Sequence, residues 1–447
     1  MTDLLSIGAS GARAYQSALS TTSDNIANAA TTGYSRRVAT VREVVAVGGN
    51  TSAINAGLGV NVGGVVRSAD NFRAAEVRTA SADLARTTVS ASWLGRIDTS
   101  LTQNQLGTQL TAFFTSAKAV AADPTALPAR ATMLENASSV AAAFSATGQA
   151  LDSAMTDLKA SADTAVTQLN NLSASLAKVN AGLARATDGT AGQAALLDQR
   201  DQMLEQMSAL TDVTVSFDSY GRATVQAGNS TGPTLVEGAN AATVLQNSNA
   251  EGTFSFSVRQ ANGSVAAMAP NGGALAGIAE SGARISAARD EISQMAQDFA
   301  DGVNAVQAAG DDLQGNSGQP IFTVGDPAYQ LSVAMTDPRG IAAAASGGGT
   351  RDNSNLAGLD TLRTTGNFEQ GVTDMTAANG AVLSGRNSIM DAQTSIRDSA
   401  VSARDSVSGV NVDEEAVDLM RFQQAYQASA RIIQVARETL QSILDIR

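Results

Sequence analysis

The stretch that decides the fold is LMRFQQAYQASARIIQVARETLQSI, which runs from Leu419 to Ile443. Apolar and small side chains recur in it at alternating intervals of three and four residues, which places them on one narrow stripe of a long helix. The stripe consists of Leu419, Phe422, Tyr426, Ser429, Ile433, Ala436, Leu440 and Ile443. Asn411 and Asp413 precede this stripe and are suited to cap the start of the helix. A long helix with one apolar stripe is marginal alone in water, so this stretch predicts a helix that needs a partner.

The amino-terminal segment carries a matching stripe. The first proline is Pro124 and the last is Pro338, so neither end of the chain contains an obligatory helix breaker. The amino-terminal stripe consists of Ala12, Tyr15, Leu19, Thr22, Ile26 and Ala29. We therefore predict two long terminal helices that pair with each other, with neighbouring copies, or with both. Aspartate in place of Leu419 or Ile433 should then abolish assembly.

Three internal segments repeat the same spacing. Leu151 to Leu183 keeps it over about 50 Å of helix, at 1.5 Å per residue. Ile285 to Val306 forms a second stripe. A weaker third stripe consists of Val382, Ile389, Ile396 and Ala403. These segments predict antiparallel helical rods.

Residues 211 to 268 change to a period of two. Val213, Val215 and Phe217 alternate with polar residues, which is typical of strands with one buried face. The pairs Tyr220-Gly221 and Asn262-Gly263 are suited to turns, because glycine and asparagine tolerate positive φ. This region predicts a small β domain at the turn of the helical hairpin.

Residues 311 to 350 are rich in glycine, proline, aspartate and serine, with only brief extended pieces. This composition predicts a connector with little internal structure.

The composition excludes several classes of function. The 447 residues include no histidine and no cysteine, so Ser-His-Asp and Cys-His catalytic sites, His or Cys zinc sites and disulfides are impossible. A net charge of −13 disfavours binding to nucleic acid or to anionic membrane surfaces. The sequence contains neither a long apolar run nor a basic leader followed by an apolar segment, so we expect no membrane span and no cleaved secretory signal. We expect no enzyme activity and no cofactor.

Three polar or glycine-rich motifs have ordinary structural interpretations. Asp311-Asp312 departs from the spacing of calcium loops, so we interpret it as a solvated turn and predict no metal site. Asp413-Glu414-Glu415 would lie in the first turn of a helix, where the helix dipole favours acids, so we predict no catalytic role. Gly57 to Gly64 lacks the spacing of a phosphate loop and is followed by no lysine, so turns and close backbone approach explain it.

The run from Asn25 to Arg36 reads NIANAATTGYSR and ends the amino-terminal stripe abruptly. One interpretation is a helix stop, in which Gly33 supplies the positive φ of a turn. The other is a docking loop, in which an exposed Tyr34 and Arg36 contact a neighbouring copy, since tyrosine and arginine are enriched in interface hot spots. The candidate assembly residues are Tyr15, Leu19, Ile26, Asn28, Thr31, Gly33, Tyr34, Arg36, Leu419, Phe422, Tyr426, Ile433, Leu440 and Ile443.

These residues also carry a family resemblance. The run from Asn25 to Arg36 resembles the amino-terminal signature of bacterial flagellar rod, hook and junction proteins. SGVNVDEE at Ser408 to Glu415, followed by FQQAY at Phe422 to Tyr426, resembles the carboxyl end of the hook-filament junction family, the first hook-associated proteins (FlgK). LLDQRD at Leu196 to Asp201 and GVNVGGVVR at Gly59 to Arg67 are similar to internal stretches of that family.

The resemblance implies a structural protein of the flagellum. It implies export from the cytoplasm through the flagellar type III apparatus and an extracellular position between the hook protein and the next junction protein and filament. It also implies about eleven copies in one ring or short helical layer, and an export chaperone that covers the carboxyl-terminal helix. Larger family members carry a further outer domain, for which residues 311 to 350 are too short.

We therefore predict a mainly α, elongated and hairpin-like chain. Its expected parts are a terminal coiled-coil domain (1–60 with 400–447), a helical rod domain (61–210 with 269–399, including the 311–350 connector) and an inserted β domain (211–268). The alternatives are a hook or distal-rod subunit, which would have a β-rich middle, and a secreted helical adhesin or translocator. An enzyme acting on peptidoglycan is a weaker alternative, because the paired carboxylates that it needs are not visible.

Overall fold

The computed structural model describes residues 2–44, 59–249 and 252–445, and most of these residues are helical. The helices are α1 (Thr2–Asn28), α2 (Asn71–Thr102), α3 (Leu106–Ala122), α4 (Leu127–Leu183), α5 (Ala191–Leu210), α6 (Gly273–Ala308), α7 (Ala357–Gly366), α8 (Phe368–Ser408) and α9 (Val412–Asp445). The strands are β1 (Arg37–Glu43), β2 (Val60–Arg67), β3 (Val213–Phe217), β4 (Ala223–Ala227), β5 (Thr234–Glu237), β6 (Asn240–Ala241), β7 (Thr243–Ser248), β8 (Phe254–Arg259), β9 (Val265–Met268), β10 (Gly310–Asp311), β11 (Phe322–Val324), β12 (Leu331–Val333) and β13 (Ala344–Ala345). The prediction of a mainly α chain with a small β domain is confirmed.

Helices α1 and α9 pair along their lengths, and they run in opposite directions. A side chain added at Gly8 would meet Ile433, whereas Tyr15 faces Phe422 and Asn25 reaches Glu415. Helices α2 and α8 form a second antiparallel pair next to it. The chain therefore leaves along α1 and α2 and returns along α8 and α9, as predicted for a hairpin.

The register of the α1 stripe differs from the prediction by about one residue. The buried residues are Gly8, Gly11, Ala14, Ala18, Thr21, Thr22 and Asn25, whereas Ala29 lies exposed beyond the end of the helix. The reason is the small size of the contact residues. A Cβ added at Gly8 would lie 2.8 Å from Cγ1 of Ile433, and one added at Gly11 would lie 2.8 Å from Oγ of Ser429. Glycine at these positions permits an approach that an apolar pattern alone does not reveal.

The helical body is built around α4, which extends over 57 residues and packs against α3, α5 and α6. Its predicted stripe from Leu151 to Leu183 is confirmed as the buried side of the helix. Helix α6 also packs against α2.

The third predicted stripe, on α8, is wrong. Ile389 and Ile396 are 46% and 59% exposed. The buried apolar residues of α8, Phe368 and Met375, lie before this stripe. Beyond them polar side chains contact the body: Asn379 Nδ2 donates to the backbone oxygen of Leu94 at 3.1 Å, and Arg386 pairs with Glu280.

Phenylalanine side chains form a packed cluster where α3, α4, α6 and α8 meet. Phe299 lies at the centre, with ring centroids 5.3–6.0 Å from those of its neighbours. These neighbours are Phe113, Phe114, Phe144, Phe322 and Phe368. A chain poor in aromatic residues concentrates them in one cluster.

The strands between α5 and α6 form a four-stranded sheet in the order β3-β4-β5-β6 and a three-stranded sheet in the order β7-β8-β9. Both sheets lie along the second half of α4. Asn180 Nδ2 donates to the oxygen of Ala223 at 2.8 Å, and Asn170 Nδ2 donates to the oxygen of Val244 at 3.0 Å. The predicted position at the turn of the hairpin is therefore wrong, because these asparagines hold the sheets against the side of the body.

The 311–350 segment folds tightly and is not the loose connector that we predicted. Its β10–β13 and β11–β12 pairs are short, but its scattered apolar residues are buried against the helices. Buried Arg130 donates to the oxygen of Ile341 at 2.5 Å, and Asn304 Nδ2 donates to the oxygen of Phe322 at 2.9 Å. Together with the α3–α4 turn, which contacts it through Arg130, this segment covers the end of the body far from the chain termini.

Candidate assembly interface

The candidate residues of the terminal pair occupy two different environments. Tyr15, Leu19, Ile26, Leu419, Phe422 and Ile433 are half-buried between α1 and α9. The ring centroids of Tyr15 and Phe422 are 6.4 Å apart, so this pair holds the two helices together within one chain. Tyr426, Leu440 and Ile443 are 39%, 42% and 49% exposed. The predicted stripe on α9 therefore covers α1 over most of its length, while Tyr426 in its middle and Leu440 and Ile443 at its end face solvent.

Asn25 is the hub of the loop that follows α1. It is 1% exposed, and its Nδ2 donates to the backbone oxygen of Arg37 at 2.8 Å and to Oε2 of Glu415 at 2.9 Å. Its Oδ1 accepts from the Tyr34 hydroxyl at 2.9 Å and from the backbone N–H of Arg37 at 3.0 Å. One amide side chain thus joins α1, the loop, β1 and α9.

Arg36 binds Glu415 at the start of α9. Its Nε donates to Oε1 of Glu415 at 2.6 Å, and a second nitrogen lies 3.6 Å from Asp418. The hydrogen bond to Glu415 raises the pKa of the Arg36 guanidinium above its ordinary value. The backbone N–H of Arg36 also donates to the oxygen of Ser408 at 2.8 Å. The loop is therefore fastened to the junction of α8 and α9.

Tyr34 and Arg36 are half-buried, and both have partners within the chain, so the prediction that they are exposed is wrong. The Tyr34 ring lies 4.7 Å from the Arg37 guanidinium, and burial raises the pKa of its hydroxyl. Glu415, which we assigned only to the helix dipole, is 1% exposed. It binds Arg36 directly and is linked to Tyr34 through Asn25. Asn411 acts as predicted, since its Oδ1 accepts from the backbone N–H of Asp413 at 3.1 Å.

The tip of the loop is the part that faces solvent. Thr31 and Gly33 are exposed, and Gly33 has a φ of +80°, the value that the helix-stop interpretation requires. Asn28 Nδ2 donates to the oxygen of Asp24 at 2.9 Å, and the Thr31 hydroxyl donates to Oδ1 of Asn28 at 3.3 Å. These contacts end α1 and shape the turn.

A network of ion pairs connects the β1–β2 hairpin to α5. Arg37 lies 3.0 Å from Asp198, and Arg67 lies 3.4 Å from Asp198 and also pairs with Asp201. Arg200 pairs with Asp201 at 2.6 Å and lies over the ring of Phe217 in β3, 4.1 Å from its centroid. Burial raises the pKa of Asp198 and lowers that of Arg200. The LLDQRD stretch therefore connects the β1–β2 hairpin to the helical body and to the sheet that contains β3.

Two glycines bring the same hairpin close to the turn between α4 and α5. The backbone N–H of Val65 donates to the oxygen of Gly189 at 2.6 Å. Gly64 has a φ of +122°, and a Cβ added there would lie 2.8 Å from that oxygen. The expected close backbone approach is confirmed at Gly64, while residues 57 and 58 of the glycine-rich stretch lie outside the described residues.

Helix α9 carries a second apolar stripe that the sequence analysis missed. Val417, Met420 and Val435 are 61%, 56% and 60% exposed, and Ile432 is 41% exposed. Val417 and Val435 are eighteen residues apart, which is five helical turns at about 3.6 residues per turn, so they point in the same direction. The separation of eighteen residues between Val417 and Val435 could have revealed this stripe in the sequence. The apolar stripe on the opposite side of the helix, with its intervals of three and four residues, dominates the pattern instead.

Among the residues that the structure describes, histidine, cysteine, aspartate and glutamate form no group of three or more that could hold a metal ion. None of the described helices has both the length and the apolar character that crossing a membrane requires.

Three known families match separate parts of the chain. Residues 94–322, just over half of the chain, match the helical domain of the flagellar hook-associated protein FlgK. Residues 402–446 match the carboxyl-terminal family of the flagellar basal-body rod proteins FlgEFG, and residues 5–34 match the flagellar basal-body rod protein family. The two terminal matches cover α1 and α9, and the largest match covers the middle of the chain.

Relatives match over long stretches. Flagellar hook-associated protein 1 of Salmonella typhimurium is 30% identical over 337 residues, which is 73% of this chain and 60% of the relative. The Escherichia coli protein of the same name is 28% identical over 73% of this chain and 61% of its own length. The chain thus spans about three fifths of the length of these relatives. The Bacillus subtilis protein of that name is 26% identical over 97% of this chain and 96% of its own length.

A solved structure supports the fold. The flagellar hook junction protein FlgK from Burkholderia pseudomallei aligns with a TM-score of 0.50 and 24% identity, over 56% of this chain and 47% of that one. The family match over half of the chain decides the assignment, and both terminal matches agree with it. The chain belongs to the family of the flagellar hook-associated protein FlgK.

Proposed function

We propose that this protein is a structural component of the bacterial flagellum that joins the hook to the filament. The observation that carries the proposal is the terminal helix pair, in which α9 contacts α1 with one face and leaves a second apolar stripe uncovered. Relatives named flagellar hook-associated protein 1 and flagellar hook junction protein support the same assignment.

The uncovered stripe supports assembly through the terminal helices. Burying a valine or methionine side chain stabilises a contact by about 1.5–3 kcal/mol, so the three residues Val417, Met420 and Val435 along one helix face favour burial against a neighbour. In our proposal, the exposed candidates Thr31, Gly33, Tyr426, Leu440 and Ile443 contact neighbouring subunits. The half-buried candidates, including Asn28, Tyr34 and Arg36, hold the contacting surfaces in place.

The same proposal covers organisation, export and partners. It divides the chain into a terminal coil (1–60 with 400–447), a helical body (61–210 with 269–399) and a sheet region (211–268). The protein is exported from the cytoplasm by the type III apparatus, with a chaperone on α9, and assembles outside the cell as a ring of about eleven copies. Its neighbours are the hook protein, the second junction protein and the filament.

A hook or distal-rod subunit is the second candidate, because both terminal matches belong to rod-protein families. The middle of the chain argues against it, since residues 94–322 match a FlgK domain and are dominated by helices.

Deletion of the gene in its native bacterium tests the proposal. We expect complete hooks without filaments by electron microscopy, and flagellin lost to the culture medium. Reintroduction of the wild-type gene should restore filaments. Absent or truncated hooks would favour the rod or hook alternative, and normal motile filaments would contradict both.

A further inference from the structure

The chain contains three Asn-Gly pairs, and the structure places them in three different environments. In such a pair the backbone nitrogen of the glycine can attack the side-chain carbonyl of the asparagine with little steric hindrance, because glycine has no Cβ. The attack needs an accessible carbonyl and a backbone that is free to bring the two atoms together. The environment of each pair therefore decides whether it reacts. The pairs are Asn262-Gly263, Asn271-Gly272 and Asn379-Gly380.

The first pair lies in the turn that joins β8 to β9. Asn262 and Gly263 are both exposed, Gly263 has a φ of +85°, and open space surrounds the position where its Cβ would lie. Oδ1 of Asn262 accepts the backbone N–H of Ser264 at 2.9 Å. This bond closes one small ring that contains both Cγ of Asn262 and the nitrogen of Gly263. The turn therefore keeps the two atoms that would react close together.

Ser264 prepares the same carbonyl for attack. Its hydroxyl also donates to Oδ1 of Asn262, at 2.7 Å, so this oxygen accepts two hydrogen bonds from one residue. When a nucleophile adds to Cγ, Oδ1 takes up negative charge, and donors that already point at it stabilise that charge. Ser264 is itself exposed, so water also reaches the site.

The second pair lies immediately before α6 and is held by its surroundings. Gly272 is buried, and a Cβ added there would lie 3.2 Å from Cβ of Asp212. The backbone N–H of Asn271 donates to Oδ1 of Asp212 at 3.1 Å, and its backbone oxygen accepts from Arg86 at 3.0 Å. These contacts fix the peptide groups on both sides of Asn271.

The third pair lies inside α8. The helix holds the nitrogen of Gly380 in its ladder of backbone hydrogen bonds. Nδ2 of Asn379 donates to the oxygen of Leu94 at 3.1 Å, so the amide nitrogen that would leave is bound as well. The second and third pairs therefore need local unfolding before they can react.

We propose that Asn262 is a site of self-modification by deamidation, with the chain as substrate and water as the only co-reactant. The nitrogen of Gly263 bonds to Cγ of Asn262, the bond from Cγ to Nδ2 breaks, and the proton of the glycine N–H leaves with Nδ2 as ammonia. This step forms a succinimide ring. Water then opens the ring at either of its carbonyls, which leaves aspartate or isoaspartate at this position. No atom is oxidised or reduced.

The products change the turn and spare the sheet. Both add one negative charge to an exposed turn, and isoaspartate also lengthens the main chain there by one methylene. The lengthened segment lies within the two bonds that close the turn, from the N–H of Gly263 to the oxygen of Gln260 at 2.9 Å and from the N–H of Gln260 to the oxygen of Ser264 at 2.8 Å. The paired residues of β8 and β9 begin beyond it, at Arg259 and Val265.

Mass spectrometry of the purified full chain tests the proposal, because replacing an amide NH2 by OH raises the mass of the peptide that contains it. In the folded chain, Asn262 should react faster than Asn271 and Asn379 by about tenfold or more, since the other two wait for local opening. The same chain unfolded in urea is the matched control. There the three pairs should react at similar rates.

Two variants sharpen the test. Asn262→Gln should remove the modification, because the longer side chain would have to close a larger ring. Ser264→Ala should slow the reaction of the folded chain by about threefold to tenfold, less than the loss of a donor from a buried oxyanion hole, because the turn is exposed. It should leave the rate in urea unchanged. Circular dichroism confirms that each variant folds.

Three results would count against the proposal. Asn262 that stays intact in the folded chain but reacts in urea would overturn it, and so would equal rates at the three pairs in the folded chain. Wild-type rates in Ser264→Ala would overturn the part assigned to the Ser264 hydroxyl. The test needs neither assembly nor the native bacterium, so its outcome is independent of the junction function.

Discussion

The terminal helix pair and the phenylalanine-rich end of the body are both helical, but they are stabilised differently. Around Phe299, side chains from α3, α4, α6 and α8 are almost fully buried, and the 311–350 segment covers them. In the terminal pair, Ala436 and Ser429 are buried, whereas Val417, Met420 and Val435 face solvent. The comparison indicates that the phenylalanine-rich end of the body is complete as a monomer, while the terminal pair leaves an apolar stripe for further contacts.

The largest expected effect is at the aromatic cluster. Phe299→Ala should lower the free energy of unfolding by about 3–5 kcal/mol, because it leaves a cavity that five other rings cannot fill. Urea denaturation of the purified chain measures this loss. Phe72→Ala is the matched control, since Phe72 is 68% exposed, and it should change stability by less than about 0.5 kcal/mol. Equal losses in the two variants would contradict the assignment of the core.

The next effect concerns the hub of the terminal pair. Asn25→Ala should lower the free energy of unfolding by about 1–3 kcal/mol, because the buried Glu415 carboxylate and the Arg37 backbone lose a hydrogen-bond partner that water does not replace. Hydrogen exchange should show faster exchange in α1 and α9 and unchanged exchange in α4. Asn28→Ala removes a more exposed contact three residues later and should have little effect. Faster exchange throughout the chain would mean that the two regions unfold together.

A smaller, pH-dependent effect is expected at Tyr329, which anchors the 311–350 segment through its hydrogen bond to Asp152. Burial, with a contribution from Asp152, raises the pKa of the Tyr329 hydroxyl to about 12. The folded chain therefore keeps a proton that the unfolded chain loses from about pH 10 upward. The resulting stability is fully present below pH 10 and is lost as the pH rises towards 12.

Tyr329→Phe checks this expectation. The variant should be less stable than the wild type by about 1–2 kcal/mol at neutral pH, because the hydrogen bond to a carboxylate is lost. The difference should shrink between pH 10 and 12. Chemical denaturation at several pH values measures it, with Tyr220→Phe as the control because Tyr220 is 54% exposed. A constant difference across this range would contradict the raised pKa.

How far the sequence predicts this molecule depends on which residues make the contacts. The long α4 stripe was predictable because large apolar residues repeat with the period of the helix. The register of α1 was not, because glycines at positions 8 and 11 make the contact and a hydrophobic pattern does not include them. The packing of the 311–350 segment depends on a few apolar residues separated by turns, which have no regular period.

The same limit applies to the assembly site. The loop with Tyr34 and Arg36 was recognisable in the sequence, but Glu415, the partner of Arg36, lies 379 residues away in the chain. Its neighbours Asp413 and Glu414 are exposed, so nothing in the local sequence distinguishes the buried acid from the solvated ones. Only the pairing of α1 with α9 does so, and that pairing also turns Val417 and Val435 outward.

The smallest effect on the isolated chain is expected at Val435, and it gives the sharpest test of the comparison. Val435→Asp places a charge on the outward stripe of α9, where the side chain is exposed to solvent in the monomer. The free energy of unfolding should therefore change by less than about 0.5 kcal/mol. Ile433→Asp places the same charge two residues away, in the contact with Gly8, and should separate α1 from α9 in the monomer. Both variants should fail to support filaments in the deletion strain, but hydrogen exchange should detect unpairing only in Ile433→Asp. Normal filaments with Val435→Asp would show that assembly does not bury the outward stripe. The terminal pair would then need no further contacts, like the phenylalanine-rich end of the body.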